Sequence, residues 1–161
     1  MHQALQRTGR AAGDAYERYS GAVYRVAYTY MKNRYDAEDA LQETFLRLIR
    51  GNVCFADERH ELGWLILTCS NVCRDMLKAK ARQHEALDEH TELAAPEPED
   101  NALLASVAAL PFKYKAAVYL HYYEGWSVDE TARLLRRSPN TIKTWLSRAR
   151  KALKNELGGE S

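Results

Sequence analysis

Apolar residues recur along this chain at the three- and four-residue spacing of helices. Tyr16, Tyr19, Val23, Val26, Ala27 and Tyr30 share one face and predict a first helix over about Asp14 to Met31. A second is expected to start at Asp36, an N-cap type, with Glu38 and Asp39 in its positive first turn. Its inward residues would be Ala37, Ala40, Leu41, Thr44, Phe45, Leu48 and Ile49, and Gly51 would end it. A third covers about Glu61 to Arg82, with Trp64, Leu65, Thr68, Val72, Met76 and Ala79 as its buried stripe. Three such helices can close into one bundle over residues 12–84.

The period then stops. Residues 85–100, "EALDEHTELAAPEPED", show no clear apolar repeat and contain Pro96 and Pro98, so they read as a flexible linker. Shorter helical patterns follow over 101–157: about Asn101 to Ala109, then about Phe112 to Tyr123, stopping at Glu124-Gly125. Ser127 and Glu130 have the spacing of a capping box and open a helix to about Leu135. After Arg136-Arg137, Ser138 caps a last helix to about Leu157, with Pro139 in its first position and Gly158-Gly159 beyond its end. No alternating strand pattern and no Asn-Gly or Asp-Gly hairpin signal competes. The expected fold is all-α: an N-terminal helical bundle and a C-terminal helical domain joined by the linker.

Charge changes this picture. The formal net charge is only +1, yet residues 85–100 hold seven acids and no Lys or Arg, and Arg133 to Lys154 hold eight cations and no acid. A surface helix usually mixes signs in pairs one turn apart. Two helices separated by a short turn match a helix-turn-helix. Val128, Ala132 and Leu135 would meet Ile142, Leu146 and Ala149, turning Asn140, Lys143, Thr144, Ser147, Arg148 and Lys151 outward. A major groove admits one such helix, and these residue types suit base edges and phosphates. The missing counter-charge is therefore expected on DNA.

Other classes find little support. No run of about 18 apolar residues suggests a membrane span, and no apolar leader is visible, so a cytoplasmic protein is expected. Cys54, Cys69 and Cys73 are an odd count for a disulfide framework. Cys69 and Cys73 could be imagined as metal ligands with His60 or His84, but small apolar fillers in a helix are the simpler reading. No metal, cofactor or small-molecule substrate is expected, and no catalytic constellation is evident.

Two separated blocks make the chain resemble the extracytoplasmic-function group of sigma-70 family factors of bacterial RNA polymerase. "LPFKYKAAVYLHYYEGWSVDETARLLRRSPNTIKTWLSRARKAL" is similar to the family's region 4, with its Gly-hydrophobic-Ser turn and a recognition helix ending Arg-Ala-Arg. "YRVAYTYMKNRYDAEDALQETFLRLIR" and "ELGWLILTCSNVCRDMLKAKAR" are similar to region 2, the latter through Trp64, Asn71 and Asp75. The resemblance implies a non-enzymatic specificity subunit that binds core polymerase, through its beta-prime and beta subunits, and directs promoter-specific initiation. By position, Asp39, Gln42, Glu43, Leu46 and Arg47 would contact the beta-prime clamp helices. Asn71 would meet the flipped base of the minus-10 element, with Arg74, Lys78, Lys80 and Arg82 on phosphates. Asn140, Lys143, Thr144, Trp145, Ser147, Arg148 and Lys151 would face the minus-35 element. The acidic linker would thread toward the RNA exit channel, and many relatives are held inactive by an anti-sigma factor. Trp145 stands where the family commonly has Arg or another polar residue, and the Asn71 helix is less arginine-rich than usual. Two other classes stay open at this point: a helix-turn-helix regulator acting without core polymerase, and an interaction protein whose basic helix docks an acidic partner.

Overall fold

The structure, a computed structural model, describes residues 9–51, 53–87 and 102–157. The chain divides into two compact units, Met1–Pro98 and Glu99–Ser161. The described residues are helices, turns and bends, without strands. Most of the expected linker, from residue 88, and the Gly158-Gly159 stop lie outside the described residues.

The first unit is a three-helix bundle: α1 (Gly9–Met31), α2 (Arg34–Arg50) and α3 (Glu58–Leu87). Each helix packs on both others. Val23, Ala27, Ala37, Ala40, Leu48, Leu65, Ile66, Cys69 and Cys73 are fully shielded from solvent at its centre. Burying each large aliphatic side chain here stabilises the bundle by about 1.5–3 kcal/mol. Tyr30 is buried too, and its hydroxyl meets the Ser70 Oγ at 2.9 Å. Desolvation holds that phenol well above the usual tyrosine range, so it stays neutral and serves as a polar pin between α1 and α3.

Several expectations need correction. Asn33, not Asp36, caps α2: the Asn33 side chain accepts the Asp36 backbone N–H at 2.9 Å. Tyr16, Ile49 and Ala79, expected inward, are exposed. On α3, Leu65, Thr68 and Val72 are buried as expected, Trp64 and Met76 are half-buried, and Ile66, Cys69 and Cys73 complete the buried side. That helix also extends from Glu58 through Leu87, further at both ends than the apolar period indicated. α1 ends at Lys32, which takes a left-handed φ of 66°.

The second unit contains α4 (Ala102–Ala108), α5 (Phe112–Val118), α6 (Val128–Leu135) and α7 (Pro139–Leu157). The helix expected over Phe112 to Tyr123 changes character at Tyr119, where a wide π-helical turn covers Tyr119–Tyr123. Within it the Tyr119 and Tyr123 rings stack 4.8 Å apart at 11°. Gly125, at φ 72°, turns the chain toward α6. The Ser127–Glu130 capping box is present in both directions, at 3.1 Å and 2.9 Å. Arg136 ends α6 in the left-handed region, at φ 56° and ψ 46°.

α6 and α7 meet as the apolar spacing required. Ala132, Ile142, Leu146 and Ala149 are buried in one cluster with Val107, Leu110, Tyr114, Ala117 and Val118. Val128 and Leu135 pack against its edge. Ala132 is 3 % exposed at the contact between α6 and α7, so a larger side chain there has no free space. Ala132→Leu is expected to destabilise the chain by about 1–3 kcal/mol through overpacking. Chemical denaturation followed by circular dichroism checks this; an unchanged midpoint would show that the helices are not in close contact at this position.

Candidate nucleic-acid interface

The outward face of α7 follows directly from that packing. Ile142, Leu146 and Ala149 set the buried side, so Asn140, Lys143, Thr144, Ser147, Arg148 and Lys151 stand exposed on the opposite one. Ser138 fixes where this face begins: its Oγ accepts the Thr141 N–H at 3.1 Å. Lys143, Arg148 and Lys151 take part in no ion pair among the described residues. The result is an outward helix face with cations and hydroxyls and no carboxylate from Asn140 to Lys154.

Trp145 departs from the expected site. It sits on the core side of α7, half-buried, with its ring 6.2 Å from that of Tyr114. The Arg137 guanidinium lies over the Trp145 ring, 5.6 Å from its centroid. The cause is helical phase: Trp145 is one residue before Leu146 and three after Ile142, and both of those are buried.

On α3, Asn71, Arg74, Lys78 and Arg82 follow helical spacing on one side of the helix. Asn71 is half-buried, and its amide makes no hydrogen bond among the described residues, so no local cap occupies it. Lys80 belongs elsewhere. It lies nine residues after Asn71, about two and a half turns, and therefore on the opposite side. Its ammonium pairs with the Asp36 carboxylate at the start of α2. Asn33 Nδ2 donates to the same carboxylate at 2.8 Å.

The expected contacts on α2 divide into two sets. Asp39, Gln42 and Leu46 are exposed along one stripe, which also carries Tyr35 and Ile49. Those two were missed, although Tyr35 is 79 % exposed and Ile49 47 %. A stripe at spacings of three and four on the solvent side was the available signal. Glu43 and Arg47 face sideways. Arg47 Nε donates to Glu43 at 3.2 Å, and Arg47 also reaches Asp75 of α3 at 3.5 Å. Arg50 adds a second cation near Glu43, at 3.6 Å.

At the other end of the bundle, Arg18 of α1 pairs with Glu58 of α3 at 2.5 Å. Phe55 leads into α3 with its ring 5.8 Å from Trp64 and 5.5 Å from His60. Cys69 and Cys73 lie in the core and Cys54 is exposed, all as free thiols. Among the described residues, no group of three His, Cys, Asp or Glu side chains could hold a metal ion. No described helix is long and apolar enough to cross a membrane.

Residues 15–83 match the family described as Sigma-70 region 2, and residues 100–153 the family described as Sigma-70, region 4. The chain is 34% identical over 155 residues to the ECF RNA polymerase sigma factor SigE of Mycolicibacterium smegmatis, covering 89% of this chain and 60% of that protein. It therefore spans under two thirds of that relative's length. It is 31% identical over 157 residues to the ECF RNA polymerase sigma factor SigM of Mycobacterium tuberculosis, covering 91% of this chain and 80% of that one. The sigma factor RpoE, solved in complex with the anti-sigma factor NepR from Bartonella quintana, shares the fold. Its TM-score is 0.73 at 19% identity, over 91% of this chain and 96% of that one.

The Asp36 pair gives a pH signature. Partial burial pushes its carboxyl up, but the Lys80 ammonium and the Asn33 amide outweigh that and hold it below the usual carboxylate range. A carboxyl whose folded pKa lies below the unfolded one stabilises the fold above the unfolded value. The contribution is lost as pH falls through the folded one. Thermal melts should thus show a loss of stability below about pH 4 that is smaller in Asp36→Asn. Equal acid sensitivity of the two proteins would remove the pair from the account.

Proposed function

The chain belongs to the extracytoplasmic-function group of the sigma-70 family, and from that premise we propose that it is a specificity subunit of RNA polymerase. It binds core polymerase and brings it to promoters, while the polymerase carries out nucleotidyl transfer in the cytoplasm. The observation that supports this most is the exposed face of α7, cationic and without acid, next to a region 2 match on the same chain.

In this reading α7 lies in the major groove of the minus-35 element. Lys143 and Arg148 contact guanine edges or phosphates, Asn140, Thr144 and Ser147 bases or backbone, and Lys151 the backbone. Trp145 supports the helix from behind. On α3, Asn71 meets a base out of the stack in the minus-10 element, with Arg74, Lys78 and Arg82 on the strand's phosphates. Lys80 welds α3 to α2 and is not part of this surface.

The α2 stripe of Tyr35, Asp39, Gln42, Leu46 and Ile49 docks on the beta-prime subunit. Its two ends are apolar, Tyr35 at one and Leu46 with Ile49 at the other, with Asp39 and Gln42 between them, and large apolar side chains left in water at regular helical spacing suit a protein contact. Glu43 and Arg47 stiffen the edge of that surface through Asp75. A repressor acting alone has no use for a second such face. Promoter binding by the free chain is weak and salt-dependent, and polymerase strengthens it by holding both units at one promoter. A protein antagonist of the kind solved with RpoE would silence the chain by covering either face.

Run-off transcription with core polymerase and a promoter library tests the reading. Lys143→Ala with Arg148→Ala is expected to abolish transcription from the selected promoter and to leave core binding intact. Leu46→Glu with Ile49→Glu is expected to do the reverse, losing core pull-down while retaining weak DNA binding. If the free chain finds one operator tightly and ignores polymerase, the protein is a helix-turn-helix regulator instead.

A further inference from the structure

We propose that the turn between α6 and α7 holds a second DNA contact, a cleft for a backbone phosphodiester, in which Trp145 positions the Arg137 guanidinium. The proposal rests on the DNA reading of α7 and gives Trp145 a task which that reading left open. An open cleft of about 280 Å³ lies here, lined by Asp129, Ala132, Arg133, Arg137 and Pro139. Arg133 and Arg137 stand one turn apart in the chain, both are exposed, and neither takes part in an ion pair among the described residues. Asp129 is the carboxylate on the wall, so the two guanidinium groups leave the cleft with an excess of one positive charge.

The cleft's form suits a phosphodiester. Ala132, almost wholly buried, closes the floor of the cleft, and the exposed Pro139 adds a wall without polar side-chain atoms. The guanidinium groups supply forked donors matched to phosphate oxygens. Its position fits as well. The cleft opens where α7 begins, beside Asn140 and Lys143, and a duplex along the outer face of α7 must run its backbone past that end.

Arg137 does not hang free in solvent. Its guanidinium sits 5.6 Å from the centroid of the Trp145 ring, which rests on Tyr114. A long side chain parked on an aromatic face has less freedom to lose when it takes up a ligand. Trp145 thus links the phosphate contact to the buried side of the recognition helix, which fixes the register in which α7 enters the groove. This accounts for an aromatic residue where the family commonly has a polar one.

The test uses the full chain and two labelled duplexes, one selected by run-off transcription and one scrambled, titrated by fluorescence anisotropy across low to moderate salt. Arg133→Gln with Arg137→Gln should weaken both duplexes by the same factor and reduce the slope of log affinity against log salt by about 1.8, two contacts at about 0.9 each. Trp145→Phe should weaken binding when Arg137 is present and have no further effect in Arg137→Gln. Circular dichroism confirms that each variant is folded. An unchanged slope, or a loss confined to the selected duplex, overturns the cleft while leaving the α7 reading in place. Inorganic phosphate that competes for the cleft while the DNA slope stays unchanged also overturns it, since the site would then serve a free anion. If the parent chain binds neither duplex at low salt, the DNA reading itself fails, and the cleft with it.

Discussion

The rotation of α7 about its own axis is the constraint on which the C-terminal unit depends. Ile142 and Ala149 have no exposed surface and Leu146 almost none, and they lock into a cluster that includes Ala132 and Val118. A helix anchored at three positions along one side cannot roll. Its remaining residues are then assigned to water by geometry alone: Lys143, Thr144, Ser147 and Arg148 outward, Trp145 back toward Tyr114. Apolar burial holds the helix, but its functional consequence is the placing of charge. Swapping one residue of the anchoring stripe for a polar one would disturb the display without touching any cation.

The same phase rule explains what could be read from the chain before its fold was seen. The α6–α7 pair was fully legible, because the capping box, the Pro139 start and the small Ala132 all agree with one arrangement. Lys80 and Trp145 stand apart from the residues they were grouped with. Lys80, grouped by charge and nearness in sequence, lies opposite Asn71 on α3, and Trp145, included for its place in the recognition helix, lies half-buried on the flank of α7. Asn33 was passed over because Asp36 is also a capping type. The decision between them rests on two residues of backbone that sequence does not order: Lys32 at positive φ, then Asn33 extended. Ile49 resembles core by composition, and only the presence of Phe45 and Leu48 on the buried side leaves it facing water.

The two units use their cations in opposite ways. In the bundle, Arg18, Arg47, Arg50 and Lys80 each meet a carboxylate of the same unit: Glu58, Glu43 with Asp75, Glu43, and Asp36. These pairs mostly join one helix to another. They are partly exposed, so each adds only a few tenths of a kcal/mol to about 1 kcal/mol, and their larger effect is to fix the order and tilt of the helices. In the C-terminal unit, Arg133, Arg136, Lys143, Arg148 and Lys151 have no such partners among the described residues, and Glu130 is engaged in capping Ser127. Placing several like charges on one small unit without neutralising them raises its self-repulsion. That repulsion is relieved when a polyanion supplies the missing sign.

This contrast bears on how selectivity arises in a chain whose total charge is near zero. A uniformly basic protein would bind any nucleic acid at any orientation. Here the longest run of cations without an acid, Arg133 to Lys154, lies in one unit, on α7 and the turn that precedes it. The other unit carries a narrow row, Asn71, Arg74, Lys78 and Arg82, on α3, and an exposed stripe with three large apolar residues on α2. Neither surface is extensive enough for a firm hold on a duplex by itself. Joining them on one chain makes their binding energies combine only when both targets lie at a matched separation. Weak single contacts then become an advantage, because a chain that gripped DNA strongly with one unit would be retained at sites where the other has nothing to read.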